Sequence, residues 1–320
     1  MANNTKEIRR RIKSIGNTKK ITKAMEMVSA TKMRRAVASV LAIRPYAHSA
    51  WSVLTNLARA FESKNKGLLE VREVKSVLIL VITSNKGLCG SFNSQIIKKI
   101  RQELKDPSRL KINRVGNKKI ESKIASENLQ VDFITIGKKS EGIIRGLSKK
   151  IIASFPELTY LPSIESVRPV VKIIMEEYLN KNYDKVVVVY TDYISTINQQ
   201  AKIRQILPIS KIDIEKQIAE IDDTAGEYGL EEPKLEYKVE PGPDEVLDFI
   251  FPRLIEMQIY HAVLESNASK ESVRMMAMRN ATDAASDMVE DLTLTYNQLR
   301  QTKITQEIAE ISAGSAALRG

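Results

Sequence analysis

Residues 82–93 read ITSNKGLCGSFN, a glycine-bearing loop directly after the apolar run VLILVI at 77–82. A loop of that kind between a buried strand and a helix is where α/β proteins hold phosphates on backbone N–H donors. The spacing argues otherwise, because it has neither the three-glycine dinucleotide pattern nor the Gly-Lys-Ser/Thr ending of a P-loop. Cys89, the single cysteine, lies in this loop as a candidate nucleophile, but neither histidine of the chain, His48 or His261, is near it in sequence. A tight turn around a packed thiol accounts for the loop better. One cysteine and two histidines also exclude an internal disulfide and a zinc site of Cys/His type. Asp192 follows a third apolar run, yet a lone carboxylate at a strand end is more often a cap or surface residue than a catalytic group. No carboxylate pair with a defined spacing stands out, and the residues taken alone do not announce an enzyme.

Charge points elsewhere. The 320 residues carry a net charge of +11, with 50 basic and 39 acidic side chains. Residues 1–45 hold twelve of the basic ones and two of the acidic, so ten of the eleven net charges sit in that segment. A nucleic-acid arm would use the charge, but no Phe, Tyr or Trp is available there to stack on bases. A membrane-surface helix fits the basic amphipathic pattern but lacks interfacial aromatics. A coiled-coil arm whose exposed face meets acidic protein uses both the charge and the apolar positions. A mitochondrial presequence is also amphipathic and Arg-rich; a mature N-terminus is the reading taken here.

The elements that must position these residues fall into three textures. Residues 1–44 contain no proline and one glycine, and Ile8, Ile12, Ile15, then Ile21, Met25, Val28, then Met33, Val37, Leu41 return at helical spacing; Pro45 is expected to end or kink the helix. After Pro252 the only glycines are Gly314 and Gly320, so residues 253–318 can form one helix of ~100 Å. In it Met275, Met278, Thr282, Ala285, Val289, Leu292, Tyr296 and Leu299 step by three and four, and after a shift Ile304, Ile308, Ile311, Ser315 and Leu318 do the same. Heptads sustained this far indicate supercoiled helices. Between the ends, VLILVI, VDFITIG (131–137) and KVVVVYT (185–191) are continuous β-branched runs flanked by helical patterns, which predicts a parallel sheet covered on both faces. Residues 105–128, polar and basic, and 213–248, with thirteen acids against three lysines, read as surface loops.

Four segments together carry a resemblance: IRRRIKSIGNTKKITKAMEMVSATKMRRA, TSNKGLCGSFN, MQIYHAVLESNASKESVRMMAMRNATDAA and YNQLRQTKITQEIAEISAGSAAL. In order and spacing the chain resembles the gamma subunit of the rotary, F-type ATP synthase. The resemblance implies an α/β fold: a small Rossmann-like parallel-sheet domain plus a long antiparallel coiled coil made by the N- and C-terminal helices. Its expected divisions are 1–60 for the first helix, 74–210 for the α/β domain, 211–243 for the acidic loop segment and 244–320 for the last helix. Residues 105–128 and 210–234 are longer than the family pattern. The acidic stretch has no cysteine, so the thiol switch of some photosynthetic members is not expected.

By the same resemblance the chain is a non-catalytic central-stalk rotor, one copy per complex, carrying torque between the membrane c-ring and the catalytic β subunits and coupling proton flow to ATP synthesis. Met25, Arg274, Arg300, Gln301, Thr305 and Glu307 match positions of the coupling region and of the polar contacts with β. Tyr237 and Glu240 match the contact to the c-ring. The implied partners are the α and β subunits of the catalytic hexamer, the epsilon subunit and the c-ring, with no nucleic acid, no cofactor and no metal. The implied location is peripheral, on the cytoplasmic face of the bacterial plasma membrane. The small residues of SAGSAA, 312–317, suit a shaft tip that must avoid deep anchoring at any angle. A basic coiled-coil nucleic-acid binder and an enzyme using the loop from Gly87 to Gly90 stand as the alternatives.

Overall fold

The computed structural model describes residues 2–61, 67–115, 118–122, 128–159, 162–209 and 243–317. It divides into two compact units, Met1–Ala30 with Arg274–Gly320, and Thr31–Val273. Helix α1 spans Ala2–Phe61 and runs on through Pro45, and the last helix, α6, spans Pro243–Ala317.

In the larger unit the chain order is β1 (Ser76–Ile82), α2 (Phe92–Lys105), α3 (Ser108–Lys111), β2 (Ile112–Val115), β3 (Lys118–Glu121), β4 (Gln130–Ile136), α4 (Lys138–Gly146), β5 (Ile151–Phe155), α5 (Ile164–Leu179), β6 (Lys185–Tyr193) and β7 (Gln199–Leu207). The main sheet has the order β5-β4-β1-β6-β7. Its first four strands are parallel, and β7 turns back antiparallel on β6. The three β-branched runs thus fall on the three central strands, while β5 and β7 close the edges. Sequence pattern did not reveal the edges, since β7 reads QQAKIRQIL and faces a protein surface on only part of its length.

Both faces of the sheet are apolar because successive strand residues alternate between two cores. Leu78, Leu80, Ile82, Ile134, Ile136, Val186 and Val188 join one cluster; Val77, Ile79, Val81, Phe133, Val187 and Val189 join the other. The second cluster is sealed by Phe92, Ile96 and Ile100 of α2 and Ile144 of α4. The first is sealed by Val167, Val170, Ile174 and Tyr178 of α5 together with Phe251, Leu254, Ile255, Ile259 and Val263 of α6. Each fully buried side chain of this size contributes ~1.5–3 kcal/mol. The opening turns of the C-terminal helix are therefore part of the α/β core.

Residues 105–128 depart from a pure surface loop. Within them, 108–111 form α3, and 112–115 with 118–121 form the antiparallel β2–β3 ribbon, whose base is docked by buried groups. Asn113 donates to the Arg72 carbonyl at 2.9 Å, and the buried Lys185 ammonium donates to the carbonyls of Arg109 (3.1 Å) and Ile112 (2.5 Å). Arg72 in turn donates to the carbonyls of Tyr178 and Tyr183 and lies 4.6 Å above the Tyr178 ring. The Tyr178 hydroxyl donates to the Glu70 carbonyl at 2.6 Å, and burial pushes its pKa up to about 12. Residues 210–242, most of the acidic stretch, lie outside the described residues.

Candidate functional surface

The sheet order places a switch point at β1, where the chain goes to β4 and β5 on one side and to β6 and β7 on the other. The crevice beyond the carboxyl ends of strands flanking such a point is where open α/β sheets bind ligands. In this chain α6 lies across the end of β6. The Ser266 hydroxyl accepts from the Thr191 N–H, Ser269 donates to the Thr191 carbonyl, both at 3.3 Å, and Ser272 donates to the Thr196 carbonyl at 2.7 Å. The loop after β1 closes on the same helix. Gly90 has φ +48, and a Cβ there would meet Val273 Cγ1 at 2.8 Å. Nor are the loop's polar groups waiting for a ligand. Ser84 donates to the Lys86 carbonyl at 2.7 Å, Asn93 accepts from the Ser84 N–H at 3.1 Å, and Asn93 donates to the buried Cys89 sulfur at 3.2 Å. The glycine loop is a docking turn for α6. No group of His, Cys, Asp and Glu able to hold a metal ion occurs among the described residues.

The smaller unit carries six of the residues singled out from sequence, on two helices. Its two helices run antiparallel and meet where Thr282 donates to Thr22 at 2.8 Å. Eight residues on from Thr22 is Ala30, and eight back from Thr282 is Arg274, the residues at which this unit ends. On α6 the covered positions 278, 282, 285, 289, 292, 296, 299 and 303 alternate by four and three, with 281, 286 and 297 beside them partly covered. On α1 the covered positions 5, 8, 12, 15, 22, 26 and 29 keep the same rhythm with position 19 exposed, and 16, 25 and 30 beside them are partly covered. These are coiled-coil seams.

The seam on α1 differs from the expected stripe. Thr22 and Ser29, at 9% and 3% exposure, fill it, whereas Ile21 and Val28, at 61% and 54%, face outward with Met27. Small hydroxyl side chains let the backbones approach closely and let Thr22 meet Thr282; the larger apolar residues one position earlier are turned away. On α6 the expected seam from Met278 to Leu299 is present, but Ile304, Ile308 and Ile311 do not extend it and are 47%, 59% and 73% exposed. Register explains this. Twenty residues back from Thr22 is Ala2, where α1 begins, and twenty on from Thr282 is Thr302. Beyond Thr302 no described residue of α1 lies opposite, and the apolar stripe faces outward.

The residues singled out from sequence take these places. Met25 is half-buried on α1, three residues from Thr22, and Arg274 is half-buried where the smaller unit begins. Arg300, Gln301, Thr305 and Glu307 are exposed along one stretch of α6. There Thr305 donates to the Gln301 carbonyl at 3.0 Å and Lys303 pairs with Glu307 at 3.3 Å. The structure does not gather the six into one pocket; they are distributed along two helices. Tyr237 and Glu240 lie outside the described residues. Sequence reasoning missed the outward group Ile21, Met27, Val28, Met288 and Leu294. The signal was present in the hydroxyls at 22, 29 and 282, spaced as seam positions.

The model for the ATP synthase family matches residues 4–318. A curated ATP synthase gamma chain of Chloroflexus aurantiacus is 39% identical over 317 residues, covering 98% of each chain. That of Legionella pneumophila (strain Corby) is 36% identical over 313 residues, covering 98% of this chain and 99% of its own. Among solved structures, a chain of the Euglena gracilis mitochondrial ATP synthase assembly OSCP/F1/c-ring aligns with TM-score 0.63 at 18% identity, over 99% of this chain and 95% of that one. A chain of the Tetrahymena thermophila central stalk/c-ring assembly aligns with TM-score 0.55 at 25% identity, over 82% and 99%. The described residues form an α/β unit and an antiparallel pair of helices. The chain belongs to the family of ATP synthase gamma chains.

Proposed function

We propose that this chain is the shaft that carries torque through an ATP synthase: a rotor subunit of the central stalk, non-catalytic itself. The observation that supports this best is the unpartnered length of α6. Beyond Thr302 it presents Ile304, Ile308 and Ile311 outward, then only small side chains through Ser312, Ala313, Gly314 and Ser315, all exposed. A helix that needed this stripe for its own fold would bury it. One that turns within a sleeve of partner subunits uses apolar contact without large anchors that would fix one angle.

In this reading one copy per complex threads the ring of catalytic α and β subunits, and the basic outer face of α1 meets acidic segments of β by electrostatic complementarity. Arg9, Arg10, Lys13, Lys19 and Lys20 are exposed there. Met25 and Arg274 couple the shaft to β, and Arg300, Gln301, Thr305 and Glu307 supply polar contacts higher on it. The larger unit follows the c-ring, through Tyr237 and Glu240, with the epsilon subunit beside it. Proton flow thereby drives ATP synthesis at the cytoplasmic face of a bacterial plasma membrane, where the chain sits peripherally. No helix among the described residues is long and apolar enough to cross a membrane. Neither nucleic acid nor a nucleotide of its own enters this function.

The test is substitution within the reconstituted complex. Arg274→Ala, or Arg300→Ala with Gln301→Ala, is expected to lower proton-driven ATP synthesis or assembly while leaving the thermal unfolding of the isolated chain in place. Unchanged synthesis in both variants would overturn these contact assignments.

A further inference from the structure

The last turns of α2 and the start of α3 carry a cationic surface that the torque reading does not use. Residues 98–111 hold six basic side chains and two acidic ones. Phe92, Ile96 and Ile100 commit one face of α2 to the sheet. Lys98, Arg101 and Lys105 follow one another at spacings of three and four, which sets them together on the other face, and all three are exposed. Lys99 pairs with the buried Glu103 at 2.9 Å, whereas Lys98, Arg101 and Lys105 make no ion pair among the described residues. Arg109 extends the patch, with a side chain 70% exposed and Nη1 3.9 Å from Glu103.

This patch stands where the acidic stretch leaves the sheet. Leu207, the last residue of β7, is in register with Val186 of β6. The residue before Val186 is Lys185, whose ammonium donates to the carbonyls of Arg109 and Ile112. Ala201 and Ile203 of β7 pack in the same cluster as Phe92, Ile96 and Ile100. The cationic end of α2 and α3 thus lies at the strand end from which the chain departs. Two residues past Leu207, Ile209 is buried, its N–H on the Leu68 carbonyl at 3.4 Å. Beyond it, residues 213–232 hold eight acids against one lysine. Asp213 is four residues past Ile209, ~14 Å of extended chain, and Lys98 to Lys105 cover ~10 Å of helix. We propose that Lys98, Arg101, Lys105 and Arg109 form the docking surface for the chain's own acidic segment 213–232, which lies against the outer face of α2. One exposed ion pair contributes little, but several cations facing several acids act as a network. The covalent link holds the acids at high local concentration, which favours this segment over a separate anionic partner.

Carbodiimide coupling of the full-length chain reads the contact, because it joins a lysine amine to a carboxylate beside it with no spacer, and peptide mass spectrometry locates the join. A mixture of isotope-labelled and unlabelled chains separates coupling within a chain from coupling between chains. Lys98 and Lys105 are expected to couple to acids of 213–232 within one chain. The yield should fall steeply in 1 M salt, where screening acts within about 3 Å. Arg101→Glu leaves both reactive lysines in place and should lower the yield several-fold. Coupling of these lysines only between chains or only to other acids, no coupling at all, a yield indifferent to salt, or one unmoved by Arg101→Glu would each overturn the proposal. So would protection of Lys98 and Lys105 by duplex DNA or by phosphatidylglycerol vesicles at physiological salt, which would give the surface to that partner. Should Arg101→Glu fail to fold, the wild-type coupling pattern and its salt dependence decide alone.

Discussion

Thr22 and Thr282, 260 residues apart, meet hydroxyl to hydroxyl at 2.8 Å in the seam of the helical pair. Thr22 also donates to the Lys19 carbonyl, and Thr282 lies 2.8 Å from that of Met278, so each hydroxyl has local and cross-helix partners. Thr22→Val is expected to cost ~1 kcal/mol by stranding part of its partner's bonding. The double valine variant should lie closer to wild type than the two single costs added together, because two apolar groups of the same shape replace the pair. Chemical denaturation of the four proteins measures the coupling; strict additivity would refute the contact.

Two glycines rank the tightness of the loops over the sheet. Gly137, at φ +95, has the Thr83 carbonyl where a Cβ would go, and backbone cannot yield; Gly90, at φ +48, faces a side chain, Val273 Cγ1. Gly90→Ala should cost ~1–3 kcal/mol and Gly137→Ala more, as judged by thermal unfolding.

The last helix changes its task along its length, and two isoleucines separate the tasks. Ile259 is fully buried in the sheet-covering cluster, and Ile259→Ala should cost ~2–5 kcal/mol of chain stability. Ile308 is 59% exposed, and Ile308→Ala should leave chain stability within ~0.5 kcal/mol while weakening incorporation into the complex. Unfolding curves and the fraction of chain recovered with α and β subunits give the two readouts. Equal effects of both substitutions on chain stability would contradict the division.

At the base of the sheet, Tyr178→Phe should remove the bond to the Glu70 carbonyl at a cost of ~1–3 kcal/mol, since that acceptor lies beside buried groups. The wild-type phenol, held up to about 12, should remain un-ionised in an ultraviolet titration through pH 10, the range in which an ordinary tyrosine titrates.

The central strands were legible because Val186 to Val189 and Leu78 to Val81 are apolar on both faces, a pattern that only a doubly covered sheet rewards. The edges were not, because β7 alternates weakly and β5 is only partly buried. The heptad on α6 was legible from Met278 to Leu299, where α1 lies opposite. It misled from Ile304 onward, since periodicity announces a face to be covered without saying whether the same chain covers it. On α1 the larger residues Ile21 and Val28 outweighed Thr22 and Ser29 in the pattern, although packing prefers the small pair.

Rotation of this chain within the assembled complex tests the central claim most directly. Cys89 is buried and is the only cysteine, so Ile197→Cys, at an 84% exposed site in the turn between β6 and β7, gives one label position on the larger unit. With the catalytic ring fixed to a surface and ATP supplied, a probe at that position should turn in one sense, in steps that follow hydrolysis. Sustained ATP hydrolysis by an intact complex in which the probe holds a fixed angle would contradict the account.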